Sequence, residues 1–234
     1  MKKKSALIIT GNMVQDHEFI YPFYRLKEEG IETTVFNGSH QQVLGYFGTK
    51  IPPQKDDKLI DLKDVSYKDF DLLIIPGGVK AMEHMRLNKD LIIKINEFNA
   101  NKKIIGCICS GVFLMISANI VKGKKISGYY AWKDDIVNAG ATFIDKPVVI
   151  DNNIITSPHY KYVGEWMGQV LKVLKVTTAG INTMADLLNP VKIFPNSYQS
   201  LTVTTVNGPR AIYLNDVGAV NSTLINELPP YVVS

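Results

Sequence analysis

Apolar residues along this chain fall into short unbroken runs and helical stripes that alternate. Ser5 to Thr10 carries the run Ala6-Leu7-Ile8-Ile9 and is ended by Gly11-Asn12, which predicts a buried strand followed by a turn. Asp16 is placed to cap a helix whose apolar residues Phe19, Ile20, Phe23 and Leu26 recur at helical spacing, with Gly30 as its stop. Thr33 to Phe36 predicts a second strand, so the opening is strand-helix-strand and implies a parallel sheet with a right-handed crossover. Between 41 and 63, Gly45-Tyr46-Phe47-Gly48 and Pro52-Pro53 interrupt the alternation and predict a small hairpin and loop.

Regularity then returns. Asp71 to Ile75 predicts a strand ending in Pro76-Gly77-Gly78, Leu91 to Phe98 a helix, and Lys103 to Ile108 another strand that runs directly into Cys109-Ser110-Gly111. Val112 to Ile120 is almost wholly apolar, and a helix without a polar face must be buried on all sides. Further on come a strand at Lys125 to Ser127, a helix from about Trp132 to Ala139, and short strands near Pro147 to Ile150 and Ile154 to Thr156. Val163, Trp166, Met167, Val170, Leu171 and Leu174 then form one helical face that closes the body. Trp132 and Trp166 fit core faces and carry no assigned chemistry.

Two domains are expected: an α/β body over 1–175 and a C-terminal extension over 176–234. From Thr177 onward there are five charged residues against seven asparagines, and the apolar runs at 201–206 and 211–214 flank Asn207-Gly208-Pro209, which predicts a hairpin in a β-rich extension. A disordered tail would carry more charge, so this extension is expected to pack on its own body or on a neighbouring subunit.

The full chain has 234 residues, 46% hydrophobic and 21% charged, enough to bury a sizeable core. Its formal charge of +4 is spread along the chain with no basic run interleaved with aromatics, so a nucleic-acid groove is not expected. The apolar run behind Met1-Lys2-Lys3-Lys4 is too short for a secretion signal or a membrane span, so the expected address is the cytoplasm, without membrane association. Four scattered histidines, His17, His40, His84 and His159, lack the paired spacings of a zinc site. No metal and no cofactor are expected. Cys107 and Cys109 stand too close on one strand to close a disulfide comfortably and are expected as free thiols.

Cys109 sits where a strand gives way to a helix. A side chain there projects from the carboxyl edge of the sheet, and nearby backbone amides can lower a thiol pKa and stabilise an oxyanion. Small residues on either side permit a tight turn. Buried structural cysteine is the competing reading, and local sequence leaves the two open for Cys109, whereas Cys107, inside the strand, reads as structural.

The stretch Gly106-Cys107-Ile108-Cys109-Ser110-Gly111 resembles the "A-x-I-C-x-G" nucleophile turn of the DJ-1/PfpI superfamily. Four further motifs match in order: Asp16-His17-Glu18-Phe19-Ile20-Tyr21-Pro22, Pro76-Gly77-Gly78, Lys133-Asp134-Asp135 with Asn138-Ala139-Gly140-Ala141, and Asn153-Ile154-Ile155-Thr156-Ser157. The resemblance covers about residues 4 to 174. It implies a flavodoxin-like parallel sheet sandwiched by helices with a strand-to-helix cysteine elbow. It also implies Cys109 as nucleophile, Glu18 as the carboxyl that manages its proton, the amides of Gly78 and Ser110 as oxyanion donors, and Gly77 beside them at the oxyanion pocket. Tyr129 falls at a pocket-lining position of that family and Tyr46 matches a tyrosine of its small hairpin, each reading equally as packing; His159 follows the strand that ends near the elbow and reads either as reaching the pocket of its own subunit or of a partner, or as a surface loop histidine. Two departures reduce proton-transfer support: Ser110 stands where many members have histidine, and Gln15 replaces an acidic residue, leaving Glu18 and Asp16 as nearby carboxyls.

The resemblance implies a cysteine-dependent enzyme acting on a small-molecule electrophile, with glyoxalase- or deglycase-like, hydratase or lyase chemistry. Peptide hydrolysis is disfavoured by Ser110. The expected assembly is a homodimer or higher homo-oligomer. Two alternatives stand beside it: a redox-sensing or stress-protective protein in which Cys109 is oxidised and Glu18 stabilises the product, and a non-catalytic assembly protein that uses the C-terminal arm.

Overall fold

The computed structural model describes residues 3–39, 41–178, 200–205 and 208–213. The chain divides into two compact units, 1–179 and 180–234. In the first, the elements run β1 (Ser5–Ile9), α1 (Asp16–Glu28), β2 (Glu32–Phe36), the hairpin strands β3 (Val43–Leu44) and β4 (Lys50–Ile51), and β5 (Leu72–Ile75). They continue with α2 (Val79–Met85), α3 (Lys89–Ala100), β6 (Ile104–Ile108), α4 (Val112–Ser117), β7 (Lys125–Ile126), α5 (Lys133–Asn138), β8 (Thr142–Phe143), β9 (Val149–Asp151), β10 (Ile154–Ser157) and α6 (Val163–Thr178).

The main sheet has the order β2-β1-β5-β6-β10-β9, parallel except for β9, which pairs antiparallel to β10. The five parallel strands thus follow the 2-1-3-4-5 winding of flavodoxin-like folds, in which the chain reverses direction between β1 and β5 and leaves a crevice at their carboxyl ends. Strands β5 and β6 are buried along their whole length, as is β1 beyond Ser5. That burial explains their unbroken apolar runs: helices cover both faces, α1 beside α6 on one and α2, α3 and α4 on the other.

Gly106, in the middle of β6, lets α6 approach closely. A Cβ there would lie 2.9 Å from Ile74 Cδ1 and 3.1 Å from both Trp166 Cζ2 and Val170 Cγ2. Trp166 is fully buried at that contact and donates its Nε1 hydrogen to the Ile155 carbonyl at 3.1 Å.

Three details differ from the sequence reading. Helix α2 is not foreshadowed: it follows a glycine pair and spans only seven residues, of which Ala81, Met82 and Met85 are buried, too few for a stripe to stand out. The N-cap of α1 is Gln15, whose side chain accepts the His17 N–H, while Asp16 is the first helical residue with its carboxylate turned elsewhere. Trp132 ends a short 3-10 turn ahead of α5 and packs against the Phe113 ring at 4.6 Å.

In the second unit β11 (Ser200–Thr205) and β12 (Gly208–Tyr213) pair antiparallel. Gly208 and Pro209 lie inside the second of these strands, and the connection expected between them falls on residues outside those described. The expected packing of the extension falls on residues outside those described, as does His40.

Candidate active site

The loops leaving β5 and β6 meet at the crevice. A Cβ on Gly77 would lie 2.8 Å from Cys109 Cβ and 3.0 Å from the Ser110 nitrogen, and would collide with Glu18 Oε2. One on Gly111 would lie 2.7 Å from the carbonyl oxygens of both Ile75 and Pro76. The two turns can cross this closely only because glycine stands at both positions. Gly77→Ala is therefore expected to cost about 2–4 kcal/mol of stability through overpacking and loss of a buried hydrogen bond, measured as a lower urea midpoint. An unchanged midpoint would contradict this packing.

Cys109 is held at φ 58, a left-handed conformation uncommon for a residue with a side chain, between extended Ile108 and the helical Val112. This turns the thiol out of the sheet edge into a half-buried position, whereas Cys107 remains buried inside β6. Glu18, one turn into α1, is fully buried. Its Oε2 accepts the Gly77 N–H at 2.8 Å, and its Oε1 is buried with no aligned hydrogen-bond partner. Burial raises the Glu18 pKa to about 7, against the lowering effects of the Gly77 N–H and the Cys109 thiol.

The thiol itself is pushed up, first by burial and then by the Glu18 charge, and the Ser110 N–H and hydroxyl offset this only in part. This corrects the expectation of a thiol acidified by backbone amides. The repulsion exists only while Glu18 is ionised; once Glu18 takes a proton its O–H is a donor toward sulfur, so the two groups titrate as a pair. The Ser110 hydroxyl is near enough to affect the sulfur but not aligned to bond it, and Oγ is buried without a partner.

Asp16 does not join this pair. Its carboxylate accepts the Phe47 N–H at 2.8 Å and the Thr49 N–H at 3.1 Å, pinning the tip of the β3-β4 hairpin. Burial opposes the Asp16 charge, but hydrogen bonds from Thr49 and Phe47 hold its pKa below the ordinary value. Gly45 makes room, since a Cβ there would collide with that carboxylate. Gly77 is likewise unavailable as an oxyanion donor, because Glu18 already occupies its N–H. Gly78, at φ 101, caps α2 and borders the cavity.

A cavity of about 510 Å³ opens over Cys109 and Glu18 and is lined also by Gln15, Tyr46, Ser110, Tyr129 and His159. All of these residues were singled out in the sequence. Met13, Val79, Lys80, Glu83 and Tyr160 complete the wall and were not foreseen. Lys80 and Glu83 sit on the short helix α2, and Met13 is brought in by a backbone turn at φ 65. His159 reaches the cavity of its own chain. Its Nδ1 accepts the Lys161 N–H at 3.1 Å, which assigns the ring proton to Nε2, and burial with the Lys161 charge lowers its pKa, keeping the imidazole neutral. Among the described residues no three His, Cys, Asp or Glu side chains cluster as metal ligands, and no helix is long and apolar enough to cross a membrane.

A family model described as the DJ-1/PfpI family matches residues 4–173. The chain belongs to this family. Deglycase PfpI from Pyrococcus furiosus is 36% identical over 169 residues, which are 72% of this chain and 98% of that protein. Among solved structures, Drosophila melanogaster DJ-1beta superposes with a TM-score of 0.65 at 26% identity, covering 74% of this chain and 90% of that one. A two-domain protein from Anabaena variabilis, containing DJ-1/ThiJ/PfpI-like and ferritin-like domains, gives 0.69 at 28% identity over 74% of this chain and 48% of that longer chain. In this chain Ser110 and Gln15 stand around the Cys109 elbow and the buried Glu18 carboxyl.

Proposed function

We propose that this DJ-1/PfpI protein is a cysteine-dependent enzyme that converts a small 2-oxoaldehyde and water into a 2-hydroxy acid. The observation that carries the reading is the Cys109 thiol, at a positive-φ elbow inside a cavity, beside a buried carboxyl whose pKa lies at about 7. A carboxyl with that proton affinity both gives and takes a proton near neutrality. The similarity to a protein named a deglycase supports an enzyme.

The sulfur of Cys109 adds to the aldehyde carbon while ionised Glu18 takes the thiol proton; the carbonyl electron pair moves onto oxygen, which receives that proton from Glu18. Glu18, again ionised, removes the hydrogen on that carbon, leaving an enediolate whose charge rests on the former ketone oxygen, and that oxygen takes the hydroxyl proton of the first carbon. Returning the proton to the second carbon gives a thioester of a 2-hydroxy acid. Water then cleaves the thioester and restores the thiol. One carbon is oxidised and its neighbour reduced, so no external oxidant enters. Ser110 N–H faces the sulfur, and Gly78 borders the cavity where negative charge develops on the aldehyde oxygen.

Proton NMR of the purified chain with methylglyoxal and phenylglyoxal tests this: lactate or mandelate should accumulate above the protein-free rate, and no acid from either aldehyde would sink the proposal. The homo-oligomer belongs to the proposal as well, supported by Tyr21 and Tyr24, aromatic side chains exposed on α1. A monomeric native mass at micromolar concentration would remove it.

A further inference from the structure

The cavity is larger and more aromatic than a three-carbon aldehyde requires. Its volume of about 510 Å³ falls in the range of sites that enclose ring-bearing ligands. Floor and walls differ in chemistry. At the floor, Glu18 Oε1 and Ser110 Oγ are buried oxygens flanking Cys109, close to its thiol but with no aligned hydrogen-bond partner. Buried polar atoms of this kind are costly unless something pairs with them, so the floor suits a ligand that brings oxygens.

The walls are rings. Tyr129 and His159 lie 6.1 Å apart at 29°, and His159 and Tyr160 lie 4.0 Å apart. Tyr46 comes from the other side on the hairpin pinned by Asp16, and stays 64% exposed at the mouth. Lys80 is the one cation among the lining residues, and Glu83 neutralises it at 3.4 Å. With Lys80 paired and His159 neutral, no lining group offers a free positive charge to a carboxylate or phosphate.

Resting on the function proposed above, we infer that the cavity takes an uncharged aryl-substituted 2-oxoaldehyde, its two carbonyl oxygens toward Glu18 and Ser110 and its ring among Tyr46, Tyr129 and Tyr160. A planar apolar group gains burial and ring contacts there that a methyl group does not. The covalent steps are those already given, with phenylglyoxal and water yielding mandelate.

The test compares kcat/KM for phenylglyoxal and methylglyoxal from initial rates, because arylglyoxals also modify arginine. The native chain is expected to prefer phenylglyoxal by about ten- to a hundredfold. Tyr160→Ala and Tyr129→Ala should each reduce that ratio by about tenfold, with melting temperatures confirming that the variants are folded. Because the ratio is compared between proteins, the intrinsic reactivity of the two aldehydes cancels. Equal efficiencies, or a ratio untouched in both variants, would overturn the inference while leaving the proposed function in place.

If neither aldehyde is turned over, the proposed function falls and a second measurement decides the binding claim. Acetophenone and acetone, which carry the same carbonyl with and without a ring, are compared for slowing alkylation of Cys109 by iodoacetamide, read by mass spectrometry. Protection at about tenfold lower concentration of acetophenone would uphold an aryl-accepting cavity, and equal protection or none would overturn it.

Discussion

Cys109→Ser is expected to lower 2-hydroxy acid formation by at least about a thousandfold. A serine hydroxyl at this elbow would have to lose a proton far more tightly held than that of a thiol, and the only carboxyl beside it has a proton affinity near neutrality. Ser110 supplies no base, since its hydroxyl is a neutral group. The change removes little volume and keeps the left-handed turn, so the fold should survive, which a thermal melt checks. Acid formation within about tenfold of the native rate would show that the chemistry does not pass through the sulfur.

Glu18→Gln should have an opposite pair of effects, raising stability while lowering turnover. In the folded chain Glu18 titrates at about 7, above its ordinary value of 4.5. Between those values the folded state holds the proton more tightly than the unfolded state does. The stability that Glu18 contributes is therefore fully present below about pH 4.5 and is lost as pH rises through about 7, a change of about 3 kcal/mol. Glutamine stays uncharged, and its carbonyl can still accept the Gly77 N–H. The variant is expected to match the native protein near pH 4.5 and to exceed it by about 2–3 kcal/mol at pH 8, measured by urea unfolding across that interval. Subtracting the two profiles isolates Glu18 from other carboxylates such as Asp16. Parallel profiles would mean that Glu18 is not titrating in this window. Turnover should fall by about a hundredfold or more, because the group that relays the proton is gone. A buried carboxylate that destabilises the fold is retained where its charge has a use.

The strands of the body were readable because the sheet is covered on both faces. Ala6 to Ile9, Leu72 to Ile75 and Ile104 to Ile108 are apolar without interruption, a pattern that needs no knowledge of the partner strand. Helix α2 was not readable, for the opposite reason: seven residues give barely two turns, and its stability comes from packing on α4 and on the turn at Cys109. Asp16 illustrates a third case. Its type and place at the start of α1 suit a cap, but its carboxylate is claimed by two amides of a hairpin some thirty positions away, and no local pattern records such a pairing.

By itself the sequence determined where Cys109 sits. A fully apolar strand, small residues around Cys109 and a buried helix behind it leave few conformations except a sharp turn that turns the thiol out of the sheet edge, and these constraints are local. Only the tertiary structure decided how that thiol behaves. Its proton affinity depends on desolvation and on Glu18, which arrives from a different crossover, and the cavity walls come from the ends of β1, β5, β6 and β10 and from the β3-β4 hairpin. Electrostatic and packing terms of this kind act through space and fall steeply with distance, so they come into being only when the winding of the sheet has brought those loops together.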